Sequence, residues 1–278
     1  MTTASIPCSL SVSDWREASF RLEGETVFAI GDVHGCVGQL AALLDHICGL
    51  SQGSHPTRLI FLGDLICRGP SSIGALALWS ARTLDPAFGK VHRLFGNHEQ
   101  LLMLSIGEGE NSESAKSKWM SIDGDTFVNE VRQDTRQREA PLSRALVAEA
   151  VGQTTMNRLD NLERHVRIGN AIFVHGGIDP ALDAETSLAM PWTVFGGNHW
   201  AWIQEPFVSR RGGFGGLMVV HGHTPPAKHR TMSGYPDPHV VQHDRLSLDG
   251  GSALNGIVAA AQIEDGRYRL FKAQAVNR

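Results

Sequence analysis

Five short apolar runs end the same way along this chain, on glycine and a polar residue able to hold a metal ion. Residues 27–30 run into Gly31-Asp32, and 59–62 into Gly63-Asp64. Leu94-Phe95 precedes Gly96-Asn97-His98, residues 171–174 precede His175-Gly176-Gly177, and 217–220 precede His221-Gly222-His223. Continuous β-branched and aromatic runs of this length predict strands buried on both faces. Glycine at a strand end lets the backbone turn sharply and approach a ligand closely. Between the first two runs, Leu40, Leu43, Leu44 and Ile47 fall at helical spacing and predict a helix over 37–50. Ile73, Leu76 and Ala77 do the same over 71–84. Strand–helix–strand units of roughly 30 residues predict βαβ connections, hence an α/β fold with a parallel sheet. Residues at successive strand ends then converge on one edge, where such sheets place their ligands.

The strand signal lapses between about 101 and 167. Residues 108–117 read as a polar loop, while 127–139 and 141–162 read as helical. The expectation is one domain over 26–275 with this helical insertion, behind an N-terminal extension of residues 1–25. Strand patterns return at Val240-Val241 and at 245–248, 257–263 and 268–271, with Asp265-Gly266 as a hairpin turn.

At 278 residues the chain is long enough to bury a sizeable core. With 42% hydrophobic and 19% charged residues, it does not have the composition of a disordered chain. A net charge of −4 excludes a protein that grips nucleic acid by charge alone. No run approaches 18 apolar residues, so no membrane-spanning helix is expected, and residues 1–10 lack the basic start of a signal peptide. Cys8, Cys36, Cys48 and Cys67 show no Cys-x-x-Cys spacing, which points to a reducing, cytoplasmic setting. The thirteen histidines are the unusual feature of the composition.

Asp32 and His34 are two apart, so at an extended strand end they face the same side. Asp64, Asn97, His175 and His223 at four further strand ends complete a donor set of carboxylate, amide and imidazole. Such a set suits manganese, iron or zinc and is too rich in nitrogen for a calcium or magnesium cage. A carboxylate shared by two ions gives a two-metal centre, which stabilises both attacking and leaving oxygens in phosphoryl displacement. Two divalent ions against two aspartates leave net positive charge for a phosphate dianion.

Gly31-Asp32-Val33-His34-Gly35, Gly63-Asp64, Arg68-Gly69, Gly96-Asn97-His98-Glu99 and His175-Gly176-Gly177 together resemble the metallophosphoesterase signature, most closely its phosphoprotein phosphatase branch. Gly222-His223-Thr224-Pro225, the stretch from Lys118-Trp119 to Gly124-Asp125, and the tail at 245–251 resemble the bacterial-type serine/threonine phosphatases. The likeness covers about residues 26–271. It implies a β-sandwich flanked by helices and two divalent ions, manganese foremost, with iron or zinc as alternatives. Asp32, His34 and Asp64 would hold one ion, and Asp64, Asn97, His175 and His223 the other. A hydroxide bridging the ions would attack phosphorus in line, His98 would protonate the leaving group as general acid, and Arg68 would clamp the phosphoryl oxygens. Asn97 and His98 would also meet the substrate. The activity implied is a phosphomonoesterase, a protein phosphatase acting on phosphorylated Ser, Thr or Tyr or on a small phosphate ester, without nucleic-acid or membrane partners.

Two departures qualify the likeness. Before Arg68 the phosphoprotein phosphatases carry an aspartate that orients the general-acid histidine, and here Cys67 stands instead. The symmetrical dinucleoside-tetraphosphate hydrolases also lack that aspartate, and their Gly-Asp-Leu-x-x-Arg-Gly-Pro resembles 63–70, which makes such hydrolysis the alternative. A pseudophosphatase that binds phosphoproteins without turnover is the second alternative. Gln204 stands where bacterial phosphatases carry a second phosphate-binding arginine, with Arg210 or Arg211 as substitutes. His221 is expected to be satisfied by backbone, Cys67 to be no redox switch, and Trp192, Phe195, Trp200 and Trp202 to form core and pocket wall. His229, His239 and His243 are expected in a solvated, proline-rich loop.

Overall fold

Eleven strands, introduced here in chain order, form two sheets among residues 8–51 and 56–276, which the computed structural model describes. They are β1 (Cys8–Val12), β2 (Arg16–Glu17), β3 (Thr26–Ile30), β4 (Thr57–Phe61), β5 (Lys90–Arg93), β6 (His165–Ile168), β7 (Ala171–Val174), β8 (Met218–His221), β9 (Arg245–Ser247), β10 (Ile257–Glu264) and β11 (Arg267–Ala275). One sheet runs β1-β11-β10-β3-β4-β5, with β2 pairing onto β11, and the other runs β6-β7-β8-β9. The pairs β3–β4, β4–β5, β7–β8 and β8–β9 are parallel, and the remaining pairs are antiparallel. The single parallel sheet expected from the βαβ pattern is therefore two parallel triplets in two sheets.

The continuous apolar runs follow from this layering, because each central strand is buried on both faces. Val27 and Ala29 of β3, Ile60 of β4, Ala171 and Phe173 of β7 and Val220 of β8 fill the space between the sheets. Phe28, Ile30, Leu59, Phe61, Ile172, Val174 and Val219 face outward into a second apolar cluster. The Val37–Leu50 helix covers the first sheet there with Leu40, Leu43, Leu44 and Ile47. Each such side chain contributes about 1.5–3 kcal/mol of burial.

Several boundaries move. Residues 8–22 belong to the body of the fold: β1 pairs with β11 along its whole length, and Phe20 and Leu22 are fully buried between the sheets. Residues 1–7 lie outside the described residues. β5 is the polar Lys-Val-His-Arg segment rather than Leu94-Phe95. It tolerates burial because His92 bonds Glu163 and Arg93 donates to the Trp79 carbonyl. The polar stretch read as a loop holds a helix, Ser112–Met120, whose buried residues Ala115 and Trp119 are four apart. The helix expected over 71–84 ends at Trp79, and the one over 141–162 divides at Gly152. Val240-Val241 is not a strand. The β10–β11 hairpin turns at Asp265-Gly266 as expected, with Gly266 at φ +77°. No helix among the described residues is long and apolar enough to cross a membrane.

Ile60→Ala, which empties a fully buried site between the sheets, should lower unfolding free energy by about 2–5 kcal/mol in denaturant titration. The exposed Val194→Ala should stay within about 0.5 kcal/mol. Equal costs would mean that the inter-sheet layer is not the core.

Candidate metal centre

The parallel strands of both sheets deliver their C-terminal ends to one edge of the sandwich. β3 leads into Asp32 and His34, β4 into Asp64, and β5 into Asn97 and His98. β7 leads into His175, β8 into His223 and β9 into Asp249. The loops lie too close for side chains at their glycines. A Cβ on Gly96 would sit 2.1 Å from the Asp64 nitrogen, and one on Gly222 would sit 2.1 Å from Asp32 Oδ1. His34, Asp64, Cys67, Arg68 and His223 all hold positive φ, between +43° and +71°. Non-glycine residues pay about 1 kcal/mol or more each for that geometry, and such strain gathers at functional sites.

Asp64 is the hub. Its Oδ2 lies 3.5 Å from His34 Nε2 and 3.4 Å from His175 Nε2, while its Oδ1 accepts from the His98 backbone N–H at 3.0 Å. Asn97 Oδ1 is 3.1 Å from His175 Nε2, and Asp32 Oδ2 is 4.0 Å from His34 Nε2. Asp32 also accepts the His223 backbone N–H, at 3.0 Å to Oδ1. Each imidazole is fixed from behind by a carbonyl. His34 Nδ1 bonds Ile66, His175 Nδ1 bonds Leu62, and His223 Nε2 bonds Trp202, at 2.9–3.0 Å. A back-bonded ring has its tautomer set and its other nitrogen turned inward, as metal-ligating histidines require.

Electrostatics describe a cluster short of positive charge. Burial, then the Asp249 charge, raises the Asp32 carboxyl well above the usual range. Burial opposes ionisation of Asp64 too, yet His175, His98 and His34 hold it well below that range. Burial pushes His34 down to about 4 and His223 to about 3. It opposes charge on His175 as well, but Asp64, Asp32 and Glu99 prevail and raise that ring to about 9. Two groups of donor atoms, His34–Asp64–His98 and Asp64–His175–His223, each fit within 4.8 Å and share Asp64. Around the shared carboxylate, the back-bonded rings of His34, His175 and His223 fit two divalent cations, and Asp32 and Asn97 border the two groups.

The other expected residues divide. Arg68 reaches the site: its Nη1 is 2.8 Å from His34 Nε2, and its Nε pairs with Asp123 at 3.1 Å. Arg210 and Arg211 do not. Arg210 donates to the Gly213 and Pro180 carbonyls, and Arg211 binds Tyr235 and the Ser233 carbonyl. Neither lines the 570 Å³ cavity over Asp64, because both are consumed in bracing their own loop. His221 Nδ1 does meet the Gly222 carbonyl, while its buried Nε2 has no partner. His229 and His239 are buried rather than solvated, held by Ser233 and the Ser247 carbonyl. Burial pushes the Cys67 thiol well up, away from redox reactivity. Trp200 is core, and Trp202 forms wall beside His223.

Three contributors take their roles from the fold rather than from the sequence pattern. Lys228 lines the cavity opposite Arg68 and is held by Gln204 Oε1, so a cation does stand beside the place of the missing arginine. It sits five residues beyond His223, on a polar helix with no distinctive pattern. Asp249 ends β9 just as Asp32 ends β3, but with a proximity to Asp32 that only folding reveals. Glu99 accepts the backbone N–H groups of Asp64 and Leu65 and so fastens the loops described above.

Asp64→Asn should reduce the bound divalent metal in elemental analysis, from two ions to one or none, and unchanged stoichiometry would remove Asp64 from the shared place. Because a ligand must be deprotonated to bind and His175 holds its proton up to about pH 9, metal loading at pH 7 should release protons. Apparent affinity should rise with pH until about 9, as checked by calorimetry in buffers of different ionisation heat.

The family model for calcineurin-like phosphoesterases matches residues 25–251. Among curated proteins, the symmetrical bis(5'-nucleosyl)-tetraphosphatase of Aliivibrio salmonicida is 28% identical over 181 residues, 64% of this chain and 55% of that one. Its counterpart from Methylococcus capsulatus is 32% identical over 163 residues, 59% of this chain and 47% of that one. The chain thus spans about half the length of the curated relatives it matches. Among solved structures, the cold-active protein-tyrosine phosphatase of a psychrophilic Shewanella sp. aligns with a TM-score of 0.50 at 17% identity, covering 87% of this chain and 79% of that one. A Saccharomyces cerevisiae protein serine/threonine phosphatase aligns with 0.51 at 14% identity, covering 92% and 81%. Both share the fold. With the motifs gathered at one sandwich edge and the family model spanning most of its length, the chain belongs to the calcineurin-like phosphoesterases, a family of metal-dependent hydrolases.

Proposed function

We propose that this chain hydrolyses phosphoanhydrides of the kind that join two nucleosides through a polyphosphate. The observation that carries the reading is His98. It is fully buried, neither ring nitrogen has a hydrogen-bond partner, and the residue before Arg68 is Cys67. A thiol is too weak an acceptor to orient an imidazole or to stabilise its charged form. A leaving group that needs a proton therefore gets little help. A phosphate oxygen, with a second pKa of about 6, departs as an anion. A tyrosine phenol, at about 10, and still more a serine alkoxide, depend on the acid. The curated relatives are named as bis(5'-nucleosyl)-tetraphosphatases, which agrees with this preference.

Asp32, His34 and Asp64 would hold one divalent ion, and Asp64, Asn97, His175 and His223 the other, manganese foremost. When bound, such ions polarise a phosphoryl oxygen and acidify water. The chain's own side chains do the rest. Arg68 and Lys228 bring two cations to the phosphates, Asp123 and Gln204 aim them, and the strained loops keep the donors in place. A second reading, a phosphomonoesterase acting on phosphorylated Ser, Thr or Tyr, draws support from the cavity rim. Ala253 and Leu254, the latter 78% exposed, leave room for a peptide to lie across it.

With Mn²⁺, kcat/KM for diadenosine tetraphosphate should exceed that for phosphotyrosine and phosphothreonine peptides by about 10², the scale of one acid–base contribution. The reverse order would give the site to phosphoproteins. No turnover with Mn, Fe, Zn or Co would leave only a phosphate-binding protein. Cys67→Asp should raise phosphothreonine-peptide turnover about tenfold or more while leaving the tetraphosphate within about twofold; a parallel change in both would take His98 out of the argument. Lys228→Gln should raise KM for the tetraphosphate several-fold with kcat nearly kept, the pattern of lost binding alone.

A further inference from the structure

Arg68 reaches the cavity from a segment with little rigidity of its own. Cys67 and Arg68 hold φ +71° and +69°, a region that non-glycine residues keep only where their surroundings fix them. The Arg68–Asp123 pair lies at the surface, with the Asp123 side chain 59% exposed, and exposed ion pairs hold a long side chain weakly. The segment is fixed instead by one face of the Gly124–Asp134 helix. Asp123 stands at its N-cap, and Thr126 and Glu130 follow at spacings of three and four, so the three are neighbours on one side. Thr126 Oγ1 accepts the Arg68 backbone N–H at 2.9 Å. Half-buried Glu130 takes the far end of the segment. Its carboxylate accepts from Ser71 Oγ at 3.1 Å, the Ser72 N–H at 2.8 Å and the Ile73 N–H at 3.1 Å. Buried Ser72 passes that hold back toward Arg68, because its Oγ accepts the Cys67 N–H at 3.0 Å.

These bonds are more than capping of the Ser72–Trp79 helix, since Ser71 already caps it by accepting the Gly74 N–H. The other side of the segment leaves no slack. Ser71 donates to the Gly35 carbonyl, and a Cβ on Gly69 would sit 1.8 Å from the His34 carbonyl oxygen. Residues 67–72 are therefore clamped between the loop that carries His34 and the helix that carries Glu130. We infer that Glu130 is a positioning residue for phosphate binding. It stands outside the cavity lining and acts by holding this segment, so that the Arg68 guanidinium meets a phosphoryl group in the bidentate orientation. The inference rests on Arg68 as the phosphate clamp, whether a nucleoside or a peptide carries the phosphate.

Calorimetric titration of the Mn²⁺-loaded protein with inorganic phosphate reads the clamp without turnover. Glu130→Ala should weaken phosphate binding about tenfold. Glu130→Gln, which keeps an acceptor oxygen for the Ser72 and Ile73 N–H groups, should recover part of that loss. Bound metal should match the wild type in both; metal lost along with phosphate would place the effect in the centre itself and overturn the inference. A cycle with Arg68→Gln decides between positioning and general support. If Glu130 acts through Arg68, removing it costs nothing once the guanidinium is gone, and the Arg68→Gln/Glu130→Ala protein binds phosphate within about twofold of Arg68→Gln alone. Losses that multiply overturn the inference, and so does a phosphate affinity that Glu130→Ala leaves unchanged. Should Glu130→Ala fail to fold, Glu130→Gln carries the same cycle. If phosphothreonine peptides outrun diadenosine tetraphosphate, the polyphosphate reading falls, while a non-additive cycle keeps Glu130 in its positioning role.

Discussion

The Glu99 carboxylate holds the metal edge together. It accepts backbone N–H groups from Asp64 at 2.7 Å, Leu65 at 2.8 Å, and Ile66 and Gly96 at 3.2 Å. These donors come from the loops after two neighbouring strands, β4 and β5, and all four would otherwise be buried without partners. Burial, with the Asp64 charge added, pushes Glu99 up to about 7, and the donor bonds pull the other way. An uncompensated carboxylate would be costly at this depth, so the bond set and the charge require each other. Asp64 can keep φ +52° and Gly63 φ +104° because the segment is pinned from one side by this carboxylate. From the other side it is pinned by Val33 and His34, whose N–H groups donate to the Asp64 carbonyl at 2.9 and 2.8 Å.

What the clamp secures is a cluster that resists its own assembly. Asp32, Asp64, Asp249 and Glu99 bring four carboxylates together, and burial deprives each of water. The imidazoles answer only in part, since burial also discharges His34 and His223 and leaves His175 as the one ring raised in pKa. Divalent cations would relieve the carboxylates without any rearrangement of the rings, because carbonyls already fix their orientation. Preorganisation of this kind places the cost of gathering like charges in folding, where about seventy buried apolar side chains can offset it.

The metal candidates were legible in the sequence because each sits beside a glycine and all but Asn97 follow an apolar strand, and both features have local causes. The strand must be apolar because it is buried on two faces, and the glycine must lack a Cβ because another loop occupies that space. Where the cause is not local, the sequence falls silent. β1 alternates polar and apolar residues at a sheet edge, and its partner lies more than 250 residues away. β5 is polar because its burial is satisfied by Glu163 and by the Trp79 carbonyl. Arg210 and Arg211 look free in the sequence, yet the Gly213 and Pro180 carbonyls take the first, and Tyr235 and the Ser233 carbonyl the second. Lys228, Asp249 and Glu130 acquire meaning only from neighbours brought to them by folding.

The division of labour in the molecule follows the division of its elements. Every metal candidate follows a sandwich strand, where parallel pairing fixes direction. The cations that line the cavity stand elsewhere. Arg68 lies in the loop after β4, but its backbone is held by Thr126 and its guanidinium by Asp123, both from the helical insertion. Lys228 comes from the Pro226–Ser233 helix and is held by Gln204. The insertion thus reaches the cavity through Asp123, Thr126 and the Arg68 they hold, and a change in its helices can move that guanidinium without displacing a strand-end metal candidate. Substitutions there would cost the centre little, and under the proposed reading Cys67, at the junction of the two regions, bears on the choice of leaving group more than any metal candidate does.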